Sequence, residues 1–180
     1  MMHRLALAAR TATMTGKAAG AEEIVVNGEV AVCDPLGSLY LPESGMLVVS
    51  DLHLEKGAAF ARRGMMLPPY DTIATLNILA AVIARYDPKT VVSLGDNFHD
   101  RRGSEHLSAD LRTLIAGMAR GRDWIWINGN HDPDGTVDLP GDNQLTNTQP
   151  GKVTTALNQA HLKAPVETSV NAYLINTGNQ

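Results

Sequence analysis

Three short motifs in this chain place carboxylates, an amide and imidazoles within a few residues of one another. They are Asp51–His53 (DLH), Gly95–Asp100 (GDNFHD) and Gly129–Asp132 (GNHD). Oxygen donors mixed with imidazole nitrogens suit manganese, iron or zinc better than calcium or magnesium. The three motifs together therefore predict a site for divalent transition-metal ions.

Each motif follows an apolar segment that is typical of a buried β-strand. These segments are Met46–Ser50, Thr90–Leu94 and Trp124–Asn128. Ligands of open α/β sheets bind outside the carboxyl ends of the strands, so three neighbouring strands would bring all three motifs to one rim. One metal centre would then be assembled from residues that are far apart in the sequence.

Two amphipathic helices are predicted between those strands. Asp71–Tyr86 stops before Pro88, and its apolar residues recur with helical spacing. A second helix is expected over Ser104–Arg120, with Gly121 placed to end it. The positions predicted to face the core are Ile73, Leu76, Leu79, Val82, Ile83 and Tyr86 in the first helix, and Leu107, Leu111, Leu114, Ile115 and Met118 in the second.

Short strands are predicted upstream of these elements. Ile24–Val32 carries Asn27-Gly28 between two β-rich runs, which is typical of a hairpin with a type I′ turn. Ser38–Leu41 is expected to be a further strand. Because strands then alternate with helices, the sequence predicts an α/β fold with a parallel sheet around the motifs.

The order and context of the motifs resemble the calcineurin-like metallophosphoesterases, whose signature runs D-x-H, GD-x-x, GNH[DE] and a later G-H-x-H. The closer resemblance is to the bacterial ligase-associated DNA damage response endonuclease group. It covers residues 22–141. The stretches that carry it, in order, are DLHLEKG (51–57), LPPYDT (67–72), LGDNFHDRRG (94–103) and WIWINGNHDP (124–133).

This resemblance implies a metallophosphoesterase-type β-sandwich flanked by helices, and hydrolysis of a phosphate ester by two-metal activation of water. The two ions would be manganese, with iron or zinc as alternatives. By the family pattern, Asp96 bridges the ions while Asp51 and His53 complete one side. Asn130 would bind the second ion. His131 would protonate the leaving group or stabilise charge on it.

The chain departs from the family pattern at His99 and Asp100, where many relatives carry Asp-Arg. Their role is open, and we expect them to contribute to catalysis by supporting the metal ligands. Arg62, Arg63 and Arg101 follow metal motifs and are candidates to bind the substrate phosphate. A solvated loop is the commoner reason for arginines at such positions.

The resemblance also implies histidines that this chain does not supply. After His131 the only histidine is His161, and no G-H-x-H follows. One ion would keep Asp51, His53 and Asp96, but the other would keep only Asp96 and Asn130. Catalytic zinc sites, for comparison, keep three protein ligands.

Two classes of function therefore stay open. The first is a metal-dependent phosphodiesterase or endonuclease related to DNA repair, with phosphomonoester or nucleotide hydrolysis as the alternative activity. The second is a catalytically crippled, metal-binding remnant that acts as an interaction module. DNA is the expected substrate of the nuclease, and the resemblance implies association with a DNA-repair ligase or helicase.

Three segments are expected along the chain. Residues 1–21 would be a disordered extension, and 22–141 would be the N-terminal part of the metallophosphoesterase domain. Residues 142–180 would be a linker-like tail with one or two strands, foreign to the domain or truncated. Within this tail, residues 164–178 faintly resemble the opening strands of metallo-β-lactamase-fold proteins. The sandwich would then be incomplete at its C-terminal side.

The bulk properties fit a cytoplasmic protein. The net charge of −4 gives no support for a basic stripe that binds nucleic acid tightly. The single cysteine, Cys33, excludes an internal disulfide and fits a reducing compartment. No apolar run approaches the roughly 18 residues of a membrane span, so no membrane partner is expected.

Overall fold

The structure, a computed structural model, describes residues 19–26, 29–65 and 71–146. Predictions that fall on the remaining residues, including most of the N-terminal extension and of the tail, lie outside the described residues. In chain order the elements are β1 (Glu22–Val26), β2 (Glu29–Asp34), β3 (Ser38–Leu41), β4 (Met46–Val49), α1 (Lys56–Arg62), α2 (Asp71–Tyr86), β5 (Thr90–Ser93), a 3₁₀ turn (Gly103–His106), α3 (Ala109–Ala119), β6 (Asp123–Asn128) and β7 (Asp142–Thr146).

The strands form one seven-stranded sheet in sequential order, β1 to β7. Neighbours from β1 to β4 are antiparallel, and neighbours from β4 to β7 are parallel. Val26 pairs with Glu29, so two residues connect β1 to β2 as the hairpin prediction requires. The predicted α/β class is confirmed, with the parallel strands placed around the three motifs.

Both faces of the central strand β4 are buried, because its side chains alternate between two apolar clusters. Leu47 and Val49 pack on the side of α2 and α3, in a cluster that contains the fully buried Trp126. Met46 and Val48 belong to a second cluster on the other face. The metal motifs therefore follow strands that are held rigidly on both sides.

The predicted bounds of α2 are confirmed, but one of its core positions is wrong. Leu76, Leu79, Val82 and Ile83 are buried, whereas Ile73 is 39% exposed. Thr72 is the buried residue in that first turn, because the helix meets the loop after β4 there and not an apolar surface. None of the helices among the described residues has the length and apolar character that a membrane crossing requires.

The second helix begins later than predicted. Gly103–His106 forms a 3₁₀ turn, and α3 begins only at Ala109. The reason is a local cap, since the Ser108 hydroxyl accepts a hydrogen bond from the Leu111 amide at 3.3 Å. Gly121 follows the C-cap with φ of 74°, the left-handed conformation predicted for it.

The segment expected to be a linker-like tail with one or two strands begins with a strand, Asp142–Thr146. β7 pairs in parallel with β6, and the register shifts between Ile127 and Asn128. The polar sequence DNQLT resembles a loop, but a strand can be held by backbone hydrogen bonds to its neighbour alone. Trp126 of β6 holds the segment just before β7 in place, because its indole Nε1 donates to the Pro140 carbonyl at 2.9 Å.

Candidate metal centre

The three motifs leave the sheet at the same edge. Val49 pairs with Ser93, and Ser93 pairs with Trp126, so the carboxyl ends of β4, β5 and β6 are in register. The loops after these ends are also joined to one another. The Asp51 amide donates to the Gly95 carbonyl at 3.2 Å. This pairing fixes the DLH loop against the GDNFHD loop.

Three of the predicted ligands converge at this edge. Ligand atoms of Asp51, His53 and Asp96 all lie within 4.8 Å of one another. Nε2 of His53 is 3.8 Å from Oδ1 of Asp51. Asp51 is exposed and the other two are half-buried, so the cluster opens to solvent.

The same three residues all adopt the left-handed backbone region, with φ of 55° at Asp51, 44° at His53 and 49° at Asp96. Left-handed conformations cost roughly 1 kcal/mol or more for residues with a Cβ, although Asp and His tolerate them better than most. The His53 amide donates to the Asp96 carbonyl at 2.9 Å, which holds two of these conformations in place. The three converging candidate ligands are therefore half of the six non-glycine residues with positive φ among the described residues.

The GNHD loop brings Asn130 and His131 to Asp96. The His131 amide donates to Oδ1 of Asp96 at 3.0 Å. The side-chain amide of Asn130 lies beside the Asp96 carboxylate. With its nitrogen turned toward that carboxylate, it donates to the two Asp96 oxygens at 3.3 and 3.2 Å.

A buried carboxylate, Asp132, ties the second and third motif loops together. Its Oδ2 accepts hydrogen bonds from the backbone and side-chain nitrogens of Asn97, both at 2.9 Å, and from the Phe98 amide at 3.3 Å. Its Oδ1 accepts from the Gly129 amide at 2.7 Å. Burial raises the pKa of Asp132, although the N–H groups that donate to it act in the opposite direction. This residue lies behind the ligands and sets the distance between their loops.

Three histidines gather beside the carboxylates. The ring centroid of His131 is 5.3 Å from that of His53 and 5.8 Å from that of His99. The other side of His99 stacks on Phe60 at 5.2 Å. Burial lowers the pKa of His99, and the positive charges of His53, His131, Lys56 and Arg63 lower it further.

The remaining predicted site residues lie on the rim of this cluster, and several are engaged in ion pairs. Arg62 pairs with Asp100 at 2.5 Å. Burial raises the pKa of Asp100, but the hydrogen bond and charge of Arg62 outweigh this effect and the pKa lies below its ordinary value. Arg101 lies 3.6 Å from Asp134, with both side chains exposed. Arg63 is exposed and, within the described residues, has no carboxylate partner.

Sequence reasoning missed three residues that build the site. Asp132 carries no role in the sequence analysis, because its burial and its hydrogen bonds to two loops appear only in the structure. Asn97 is buried and donates its Nδ2 to the Ile127 carbonyl at 2.9 Å. Phe60 lies in α1, a helix whose short sequence carries no clear helical pattern.

Comparison with known proteins identifies the class. The family model for calcineurin-like phosphoesterases matches residues 46–177, so the chain belongs to this family. The matched range includes most of the segment expected to be a foreign tail, and that expectation stays a prediction. The family confirms the metallophosphoesterase type of the α/β fold.

One solved structure with the same fold is the crystal structure of Pseudomonas putida nuclease MPE. The two chains are 24% identical, with a TM-score of 0.51. The match covers 69% of this chain and 58% of that one, so this chain spans little more than half the length of that structure. Comparison with curated proteins gives no match.

The residues at the edge of the sheet fit the metal ions that the family uses. Two carboxylates and an imidazole converge, and the side-chain amide of Asn130 lies beside one of those carboxylates. Nδ1 of His53 is buried without a hydrogen-bond partner among the described residues, which is consistent with a ring that serves to bind a metal ion. Such a mixed oxygen and nitrogen set suits manganese, iron or zinc.

Proposed function

We propose that this protein is a metal-dependent phosphodiesterase that cleaves nucleic acid. The observation that carries the proposal is the convergence of Asp51, His53 and Asp96 at one edge of the sheet, within reach of the GNHD loop. The family supports chemistry on phosphate esters. The nuclease named in the structural comparison supports a diester of nucleic acid as the substrate.

In this proposal Asp96 would serve both ions. Asp51 and His53 would hold one ion, and Asn130 would hold the other through its amide oxygen. Manganese is the proposed metal, with iron or zinc as alternatives. When bound, the ions supply Lewis-acid activation of water and of the phosphate.

The histidines would handle the proton and the charge that develop as the ester bond breaks. His131 is exposed at the rim and contacts Asp96 through its backbone, so its ring is free to protonate the leaving oxygen. His99 would support that ring from the side, because the two rings are stacked. Asp100 would act indirectly, since it pairs with Arg62 and holds α1 against the GDNFHD loop.

The competing proposal is a protein that binds metal but does not catalyse a reaction. The small number of protein ligands for the second ion supports this alternative. Among the described residues, the second ion would have only Asp96 and Asn130 as protein ligands. His161 and the rest of the tail lie outside the described residues. Action in DNA repair, with a ligase or helicase partner in the cytoplasm, is a proposal that rests on the sequence resemblance alone.

The experiment is a manganese-dependent assay on the full chain with bis(p-nitrophenyl) phosphate, a diester, and p-nitrophenyl phosphate, a monoester. We expect turnover of the diester that Asp51→Ala abolishes and Asp134→Asn retains. Faster turnover of the monoester would favour the phosphomonoesterase alternative. Bound manganese by elemental analysis, with no turnover of either ester, would contradict the enzyme proposal and favour the remnant.

A further inference from the structure

One face of α1 adjoins the histidine cluster. Lys56, Phe60 and Arg63 are spaced four and three residues apart, so they share one side of the helix and its C-cap. Phe60 stacks on His99 with an interplanar angle of 28°. Because His99 in turn stacks on His131, this face lies directly beside the proposed position of the leaving group.

The two cations of this face are exposed and uncommitted within the part of the chain that the structure describes. Lys56 and Arg63 make no ion pair there, unlike the adjacent Arg62, which is bound to Asp100. Both charges reach the histidine cluster, since both help to lower the pKa of His99, after burial and the two neighbouring histidines. In a chain with a net charge of −4, this face is a local basic surface.

The face extends along the helix axis. Seven residues of α-helix rise about 10 Å, so Lys56 and Arg63 are spaced to contact different phosphates of one strand. Phe60 lies between them in the sequence and is half-buried. An aromatic ring flanked by cations is how proteins bind single strands without sequence preference, by stacking a base and contacting the adjacent phosphates.

We propose that Lys56, Phe60 and Arg63 form the binding wall for a single-stranded nucleic acid, with Phe60 stacking on a base and the two cations contacting phosphates that flank the scissile one. This inference rests on the proposed function and specifies its substrate. A duplex would bind less well, because its bases are already paired and stacked.

The test is fluorescence anisotropy of a labelled oligothymidylate with the full chain, without added metal so that no cleavage interferes. Phe60→Leu should weaken binding by on the order of 10-fold, and Phe60→Trp should retain it. Lys56→Gln and Arg63→Gln should each weaken binding and make the log–log salt slope less steep by ~0.7. The matched control is Arg120→Gln, an exposed arginine after α3 at the opposite edge of the sheet, which should bind like the wild type.

Thermal unfolding followed by circular dichroism should show that each variant remains folded. The proposal is overturned if the wild type does not bind the oligonucleotide, if a duplex of the same length binds as tightly, or if Arg120→Gln loses as much affinity as Arg63→Gln. These outcomes are separate from hydrolysis of a small diester. If the small diester is hydrolysed but the oligonucleotide does not bind, the binding wall is refuted and the proposed function stands. If the oligonucleotide binds as expected but no diester is hydrolysed, the proposed function is refuted and the wall is supported.

Discussion

Gly129 and Asp96 approach so closely that a Cβ atom on Gly129 would lie 2.2 Å from the Asp96 backbone nitrogen and 2.0 Å from its Oδ1. Real Cβ contacts do not occur at such distances, so only glycine fits here. The glycine that precedes Asn130 is therefore required for the third motif loop to reach the carboxylate of the second.

We expect Gly129→Ala to abolish metal binding and to destabilise the fold, because the added methyl group pushes the GNHD loop away from Asp96. Isothermal titration calorimetry with manganese and chemical denaturation would measure the two effects. The matched control is Gly117→Ala in α3, where an added Cβ meets nothing within 4 Å. That variant should bind metal normally and gain up to about 1 kcal/mol of stability from helix propensity. Normal metal affinity in Gly129→Ala would contradict the close-approach argument.

Asp132→Asn should weaken metal binding although Asp132 is not a ligand. The new amide presents hydrogens to a position where N–H groups already donate, and the buried charge-assisted bonds are lost at a cost of roughly 1.5–3 kcal/mol. Urea denaturation and manganese titration would detect both effects. Asp134→Asn, two residues away, is the control and should stay within about 0.5 kcal/mol of the wild type, because Asp134 is exposed and its ion-pair partner is Arg101 at 3.6 Å. Equal stability and equal manganese affinity in the two variants would refute the role of Asp132 in holding the two loops together.

His131→Ala should reduce turnover and preserve metal affinity, since we propose its ring as an acid and its backbone amide is what contacts Asp96. General acid catalysis typically contributes about 10²–10⁴-fold, and the loss of kcat should fall in that range. Steady-state kinetics together with manganese titration would separate the two roles. Loss of metal as complete as in Asp51→Ala would instead make His131 a ligand.

A stability prediction concerns Asp34, far from the metal motifs along the chain. Its side chain is buried and its Oδ2 accepts hydrogen bonds from Arg85 at 2.5 Å and from the Tyr86 hydroxyl at 2.7 Å. Burial raises the pKa of Asp34, but these bonds and the bond from Leu36 outweigh it, and the pKa lies below its ordinary value of 3.8. The ionised form therefore stabilises the fold above that value, and this stability is lost as the pH falls through the lower folded pKa.

Asp34→Asn should consequently lower the free energy of unfolding near pH 7 by roughly 1.5–3 kcal/mol. The difference from the wild type should shrink as the pH falls through the lowered pKa of Asp34, because the wild-type carboxyl then takes up a proton too. Denaturation curves at several pH values would measure it. A difference that does not depend on pH would show that packing, and not the ion pair, is what the substitution disturbs.

The parts of the fold that sequence predicted well are those with local signals. α2 (Asp71–Tyr86) and β3 (Ser38–Leu41) have the predicted bounds, because helical periodicity, a following proline and flanking turn residues mark them. The rim at which the motifs meet was also predictable, since chain order and strand signals already place their loops at one edge.

The parts that sequence missed depend on contacts between distant segments. α1 is too short to be stable alone, and its Gly57 amide is held by the Asp71 carboxylate at 3.0 Å. β7 is polar and exists as a strand because β6 pairs with it. The hydrogen bonds by which Asp132 joins two loops, and the approach of Asn130 to Asp96, likewise depend on contacts between distant segments.

The most direct test of the metal centre is the manganese content of three variants after loading and desalting, measured by elemental analysis. Asp96→Asn should lose the most metal, because Asp96 is the carboxylate that contacts both the DLH loop and the GNHD loop. Asn130→Ala should lose less, and Asp134→Asn should match the wild type. Equal metal content in Asp96→Asn and Asn130→Ala would contradict a shared role for Asp96 at the centre of this site.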